Sequence, residues 1–450
     1  MSDPSFRRKR YMRLSPSNGA GNFSFTNGNP IIKFSIPDSQ SFLIGNELRF
    51  CGKFQLLRDG TTQPTNVQDV NIDRCNGLQG MISSIHIGSR RFSSSQLEVI
   101  HNYPRLVSSL DAIAQSSKGM RTTSFNEQGS VGKGKFNNSQ NFTLSTIDAD
   151  DIIFRVSRKS VLVARDAANP EFEFSMRLTS GLLSGMVDLN LMGGLELQLN
   201  LNANYASAFG TGLTTGVKYT ISNPYLIAPL LYKSEQQIAQ LPQQAPITYM
   251  SYQSLYSVID SNNQSVVHRL NAKNLISVIQ NYIPVKFINN TANNGMALHA
   301  GGQISSIEYH KSGVRFPLEY NIERVGTDSN IAPQGDSSLV KTDLTPQMVW
   351  NGQSAVKNVK DISRSQQTPE NLLGVNIYDG VWTGGVSWDV ISNAGVSVFG
   401  TLTYDLKTRR EDPTNSATNP NHTLQTPYAQ YSYYLSKNTL MASPQGIMSM

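Results

Sequence analysis

Gly129-Ser130-Val131-Gly132-Lys133-Gly134-Lys135-Phe136 comes close to a phosphate-binding P-loop, in which backbone N–H groups cradle phosphate and a final Ser or Thr hydroxyl holds magnesium. Phe136 stands where that hydroxyl is needed, and no helix pattern follows to supply aligned N–H groups. A flexible Gly/Lys loop is the better reading. Gly210-x-Gly212-x-x-x-Gly216 misses the dinucleotide spacing by one residue. Asp148-Ala149-Asp150-Asp151 offers carboxylates to calcium, yet Ile152, Ile153 and Phe154 follow at once, where the calcium loop needs further oxygens and a glycine. The six histidines form no HExxH and no short ligand pair, and there is no Gly-x-Ser-x-Gly elbow. Two cysteines, Cys51 and Cys75, exclude a disulfide framework and a multi-cysteine zinc site. Strand alternation places Cys51 on a polar side with Arg49 and Lys53. There it reads as a free cysteine of a reducing compartment rather than a reactive thiol. The expectation is a protein that is not an enzyme, with no catalytic residue, cofactor or metal.

One charged feature is left. Five of the 38 Lys and Arg residues fall in the first thirteen positions: Arg7, Arg8, Lys9, Arg10 and Arg13. Asp3 is the only acid among them, so this segment carries +4 while the other 437 residues carry +2 (33 bases less 31 acids). Tyr11 adds an aromatic that could stack on a base. The pattern suits phosphate contact with nucleic acid, and a nuclear-import signal or a solvated tail are the alternatives.

The elements behind these residues are strands. Charged residues make up 16% of the chain, against roughly 25% in typical domains. Gly, Pro, Asn, Gln, Ser and Thr fill the difference, a composition for short strands joined by turns and long loops. No run of eighteen apolar residues is long enough to cross a membrane as a helix. Period-two patterns recur at Ile32–Ile36, Leu48–Leu56, Ile82–Ile87, Ser160–Ala164, Phe172–Leu178 and, most cleanly, Leu195, Leu197, Leu199 and Leu201. Further ones lie at Lys218–Ser222, Val285–Asn289, Ile304–Tyr309, Leu318–Arg324 and Val396–Leu406. Two helices are expected, one from Ser95 to a break at Pro104 with a further turn through Ile113, the other over Ser265–Tyr282. Tyr205–Gly216 reads as a linker, Gly326–Pro369 as a long loop, and the residues from Arg409 as a turn-like tail with a tyrosine cluster. The expected fold class is all-β, as two tandem β-sandwiches. Residues 1–26 form a basic arm, 27–210 the first unit, 211–408 the second and 409–450 the tail.

The order of these pieces resembles the double jelly-roll major capsid proteins of DNA viruses of the polinton-like and virophage type. The resemblance runs from Ile31-Ile32-Lys33-Phe34-Ser35-Ile36-Pro37 through Gly80–Ile85, Leu97–Tyr103, Phe174–Leu178 and Gly194–Leu201 to Val217–Pro229. It implies two eight-stranded jelly rolls and a structural virion protein. Three chains would form a pseudo-hexagonal capsomer that tiles an icosahedral shell. The implied partners are further copies of the chain, penton and minor or cement capsid proteins, and genomic DNA through a basic arm lying under the shell. Another reading from the residues is a β-sandwich receptor- or carbohydrate-binding protein that uses Trp350, Trp382, Trp388 and Tyr428–Tyr434.

Overall fold

The computed structural model describes residues 6–19, 21–25, 28–57, 70–72, 77–90, 96–107, 171–202, 209–211, 218–239, 245–259, 265–270, 275–284, 304–311, 314–316, 322–324, 340–342, 382–387, 404–410, 428–443 and 446–449. In chain order the first half runs β1 (Phe6–Leu14), β2 (Asn22–Phe23), β3 (Ile31–Ile36), β4 (Ser41–Ile44), β5 (Arg49–Leu57), β6 (Val70–Ile72), β7 (Ile82–Ser89), β8 (Gln96–His101), helix α1 (103–107), β9 (Glu171–Arg177), β10 (Met186–Asp188), α2 (Leu189–Met192), β11 (Leu195–Leu201), β12 (Phe209–Thr211) and β13 (Lys218–Lys233). The second half continues with α3 (Glu235–Ala239), β14 (Ala245–Ile259), β15 (Ser265–Leu270), β16 (Leu275–Pro284), β17 (Ile304–Lys311), β18 (Val314–Phe316), β19 (Ile322–Arg324), β20 (Val340–Thr342), β21 (Trp382–Ser387), β22 (Tyr404–Arg410), β23 (Tyr428–Ser443) and β24 (Gly446–Ser449).

Alternation in the sequence becomes a sandwich in the first half. Leu195, Leu197, Leu199 and Leu201 of β11 are all buried, while Glu196 between them is exposed. β11 lies between β3 and β7, so its leucines share a face with Phe34, Ile32, Ile85 and Ile87. The opposing sheet is ordered β10-β4-β13-β5-β9, with β1 and β2 added to the other side of β13. Aromatic rings tie the two layers together. Phe34 of one sheet meets Phe50 of the other edge-to-face at 5.9 Å between centroids, and Phe50 meets Phe174 at 5.2 Å. Each such side chain contributes about 1.5–3 kcal/mol by leaving water, with about 0.5–1.5 kcal/mol more from ring geometry. At the sandwich end, Asp188 caps α2 by accepting from the Asn190 and Leu191 N–H groups, and Gly193 closes the helix in the left-handed region at φ +66°.

The second sheet of the sandwich does not stop at the first half. Its order is β21-β16-β23-β14-β8-β7-β11-β3, so strands of both halves form one continuous nine-stranded sheet, β24 pairing beside β23. The joint is a parallel contact of β8 with β14, registered at Val99 and Gln253. Glu98 fastens it. Its carboxylate is fully buried and accepts from the Gly181 N–H at 2.8 Å, the Leu182 N–H at 3.3 Å, the Tyr252 N–H at 2.7 Å and the Ser180 hydroxyl. Burial pushes this carboxyl above its ordinary value and the four donors pull it back down. The second half adds a further sheet, β15-β22-β17-β19-β20 with β18 on β17.

Several expectations change. The expected helices are replaced by strands over much of their length: Gln96–His101 is β8 and the 265–282 passage holds β15 and β16, while the further turn expected past Pro104 begins as α1 at 103–107. These runs are rich in Val, Ile and Tyr, which favour the pleated sheet, and pairing with β7, β22 and β23 outweighs their chance helical spacing. Pro104 sits in the first turn of α1, where its missing N–H costs nothing, so it starts a helix rather than ending one. β13, which follows the boundary expected at residue 210, pairs with β1, β2, β4 and β5. The expected tail from 409 holds β23, a central strand: a run of neutral Tyr, Ser and Gln residues is compatible with full burial on both faces. Gly210 lies in β12, paired with β6, and so belongs to a ladder and not to a nucleotide turn. The segments 129–136, 148–151, 160–164 and 285–289, and most of 326–369, lie outside the described residues.

Candidate nucleic-acid interface

The basic segment folds as β1, antiparallel to the far half of β13, from Phe6 opposite Lys233 to Leu14 opposite Leu226. Period-two geometry then divides the five cations. Arg8 and Arg10 share a face with Met12 and Leu14, which pack against the core, and Arg10 reaches over the Tyr232 ring at 5.6 Å. Lys9, Tyr11 and Arg13 point to the other, outer face. Arg7 falls where the register shifts between Phe6 and Arg8, so it has no fixed partner in the ladder. Among the described strands none pairs with the outer edge of β1. Arginines on such an edge also keep it from pairing with strands of other chains.

The outer-face cations have individual partners. Lys9 Nζ lies 2.6 Å from Glu47 Oε2, and this hydrogen bond holds its ammonium above the usual lysine value. Arg13 stacks its guanidinium 3.9 Å over the Tyr225 ring. That ring is aimed by an irregularity in β13: the register with β5 shifts between Ser222 and Tyr225, where Asn223 adopts φ +48° and Pro224 lacks an N–H. The distortion opens a cavity of about 600 Å³ lined by Arg13, Lys53, Glu173, Ser175, Asn223 and Tyr225.

Cys51 shares the outer face with Arg49 and Lys53, as alternation predicts, yet it is buried. Its thiol donates to Ser175 Oγ at 3.4 Å, and burial pushes its pKa up, the reverse of what a reactive thiolate requires. His86 and His101 meet edge-on at 5.6 Å on the other sheet. Among the described residues no group of three or more His, Cys, Asp or Glu side chains could hold a metal. No described helix is long and apolar enough to cross a membrane. The tyrosines that a receptor- or carbohydrate-binding face would have used are interior: Tyr431, Tyr433 and Tyr434 are buried in β23. Trp382 begins β21, and Trp350 and Trp388 lie outside the described residues.

No family model and no curated protein matches the sequence. Among solved structures, a chain of the Sputnik virophage, determined by cryo-EM, aligns over 100% of this chain and 89% of its own length, with a TM-score of 0.51 and 11% identity. The fold is a double jelly roll. Weaker likenesses are to the Faustovirus major capsid protein (9% identity, 98% of this chain and 92% of that one, TM-score 0.49) and the mavirus major capsid protein (10%, 98% and 90%, 0.46). The fold assignment rests on the Sputnik chain. In the double jelly roll of this protein the two rolls share the sheet joined at β8 and β14, and among the described strands β1 is an edge of the first roll.

What sequence reasoning missed at this site is Arg49, Lys53 and Arg177, which belong to the same outer face as Arg13. The period-two spacing Arg49-x-Cys51-x-Lys53 and Glu173-x-Ser175-x-Arg177 carried that signal. Strand register was needed to join the segments.

Proposed function

We propose that this chain is a major capsid protein, a structural virion component whose work is assembly. Three copies form a pseudo-hexagonal capsomer, and capsomers tile an icosahedral shell around a DNA genome, with penton and minor or cement proteins as further partners. The observation that carries this reading is the double jelly roll shared with the Sputnik virophage chain over the full length of this one. Two rolls on one sheet give each chain a repeated outline, so three chains present six similar edges to their neighbours. The basic residues Arg7, Arg8, Lys9, Arg10 and Arg13 contact the genome, at low affinity per chain and higher avidity in the shell. The reading involves no catalysis and no cofactor.

Light scattering on the purified chain tests the proposal. A stable species near 150 kDa, three times 49.6 kDa, is expected. A protein that stays monomeric at every concentration and salt condition contradicts it.

A further inference from the structure

Strand register on the first sheet assembles a feature that is absent from any single stretch of sequence. Arg13 of β1 lies opposite Ile227 of β13, Ile227 lies opposite Arg49 of β5, and Arg49 lies opposite Arg177 of β9. Residues directly opposite on neighbouring strands point to the same face, so three arginines stand in one row across the outer face of this sheet. With strands about 4.8 Å apart, the row spans roughly 14 Å. One strand of B-DNA, at about 3.4 Å per phosphate, presents about four phosphates over that length.

The arginines of the row are held so as to present their charge. Arg13 is exposed and stacked on Tyr225, Arg177 is exposed, and half-buried Arg49 is steadied by donating from Nη1 to the Ser175 carbonyl at 3.3 Å. Lys53 stands opposite Glu173, whose carboxylate offsets its charge, and both line the 600 Å³ cavity with Arg13, so the positive charge of this face is that of the row. A second copy of the chain would need a cluster of carboxylates to match the row. Among the described residues no three His, Cys, Asp or Glu side chains gather closely enough to hold a cation, and Glu47, Asp188 and Glu98 are committed to Lys9, to Lys233 at 2.6 Å and to the joint between the rolls.

We infer that the outer face of the first sheet binds a nucleic-acid phosphate backbone through the row Arg13, Arg49 and Arg177, with the adjoining cavity receiving a neighbouring base. This rests on the reading that the chain contacts nucleic acid, and it moves the contact from the N-terminal segment as a whole to one face of the sheet. Arg13 is the one residue common to both.

The test is fluorescence anisotropy with a labelled 20-nucleotide single strand and the matching duplex, each titrated across a salt series. Replacing Arg13, Arg49 and Arg177 by Ala together should lower affinity on the order of a hundredfold and reduce the log–log salt slope by about two to three. Arg8→Ala with Arg10→Ala, on the opposite face of β1, should lower affinity by far less than the row variant, and Lys33→Ala with Lys437→Ala, at exposed positions of the other sheet, should leave both affinity and slope unchanged. Arg177→Glu alone, at an exposed position that does not threaten folding, should weaken binding about tenfold. Loss of binding in the Arg8/Arg10 variant with the row variants unaffected overturns the inference and keeps the contact on the terminal segment. Row variants that bind nucleic acid normally but change the oligomeric state also overturn it and make the row a contact between copies. If the unaltered protein binds neither probe, the nucleic-acid reading itself fails and the inference falls with it.

Discussion

β1 and β23 lie near opposite ends of the chain, and each is long and antiparallel to its neighbours. Among the described strands β1 pairs on one side only, with β13. β23 pairs on both, with β14 from Tyr428 opposite Ile259 to Ala442 opposite Ala245, and with β16 on its other edge. Composition follows position. β1 carries five cations within seven residues and stays wet along its outer face, whereas the run from Ala429 to Ser436 is buried residue after residue and holds no charge. Its polar groups are satisfied internally, Gln430 donating to Ser432 at 3.1 Å and the Tyr433 hydroxyl to the Asn102 carbonyl at 2.7 Å. An edge tolerates charge and needs it to stay unpaired, while a central strand covered on both faces cannot hold an unpaired charge.

The contrast breaks first at the centre. A chain ending before Tyr428 loses β23 and β24, strips β14 and β16 of their partner on one edge each, and should give no soluble folded protein on expression and gel filtration. Tyr433→Ala, which empties a fully buried ring position and strips the Asn102 carbonyl of its donor, should cost about 4 kcal/mol in chemical denaturation. Glu98→Ala, which leaves three buried N–H groups without their acceptor where the rolls join, should cost about 3 kcal/mol. At the rim, Arg8→Val with Arg10→Val should stay within about 0.5 kcal/mol of the parent by the same denaturation measurement. The cost there should appear instead as concentration-dependent association in sedimentation, because the edge has lost the charge that keeps it single.

The smallest expected effect concerns pH. Burial, and then the neighbouring His101, hold the His86 imidazole below its ordinary value. The folded state therefore binds a proton less readily there than the unfolded chain does. The stability this provides is present above about pH 6.5 and is lost as pH falls through the depressed folded value. His86→Gln should flatten the fall in melting temperature between pH 7 and pH 5. An unchanged fall would place the acid sensitivity elsewhere.

How much of this was legible in the sequence depended on whether a pattern was local. The leucines of β11 announce a half-buried strand, and β3, β5, β7, β9 and β17 follow the same two-residue rhythm. β8 and β16 read as helices because their apolar spacing satisfies both periods and only their partners in the sheet decide between them. β23 escaped because a strand buried on both faces has no alternation, and its tyrosines and serines look like a polar tail. The basic segment was legible as charge, but its division between two faces was not, since that division is imposed by pairing with β13. Arg49 and Arg177 joined Arg13 only through register across sequence separations of 36 and 164 residues.

The central claim is that two rolls on one sheet make a capsomer subunit. Negative-stain microscopy of the purified protein tests it most directly. The account predicts particles with a six-sided outline built from three chains, able to assemble into closed shells. Single globular particles of one chain, with no six-sided class at any concentration, would contradict it.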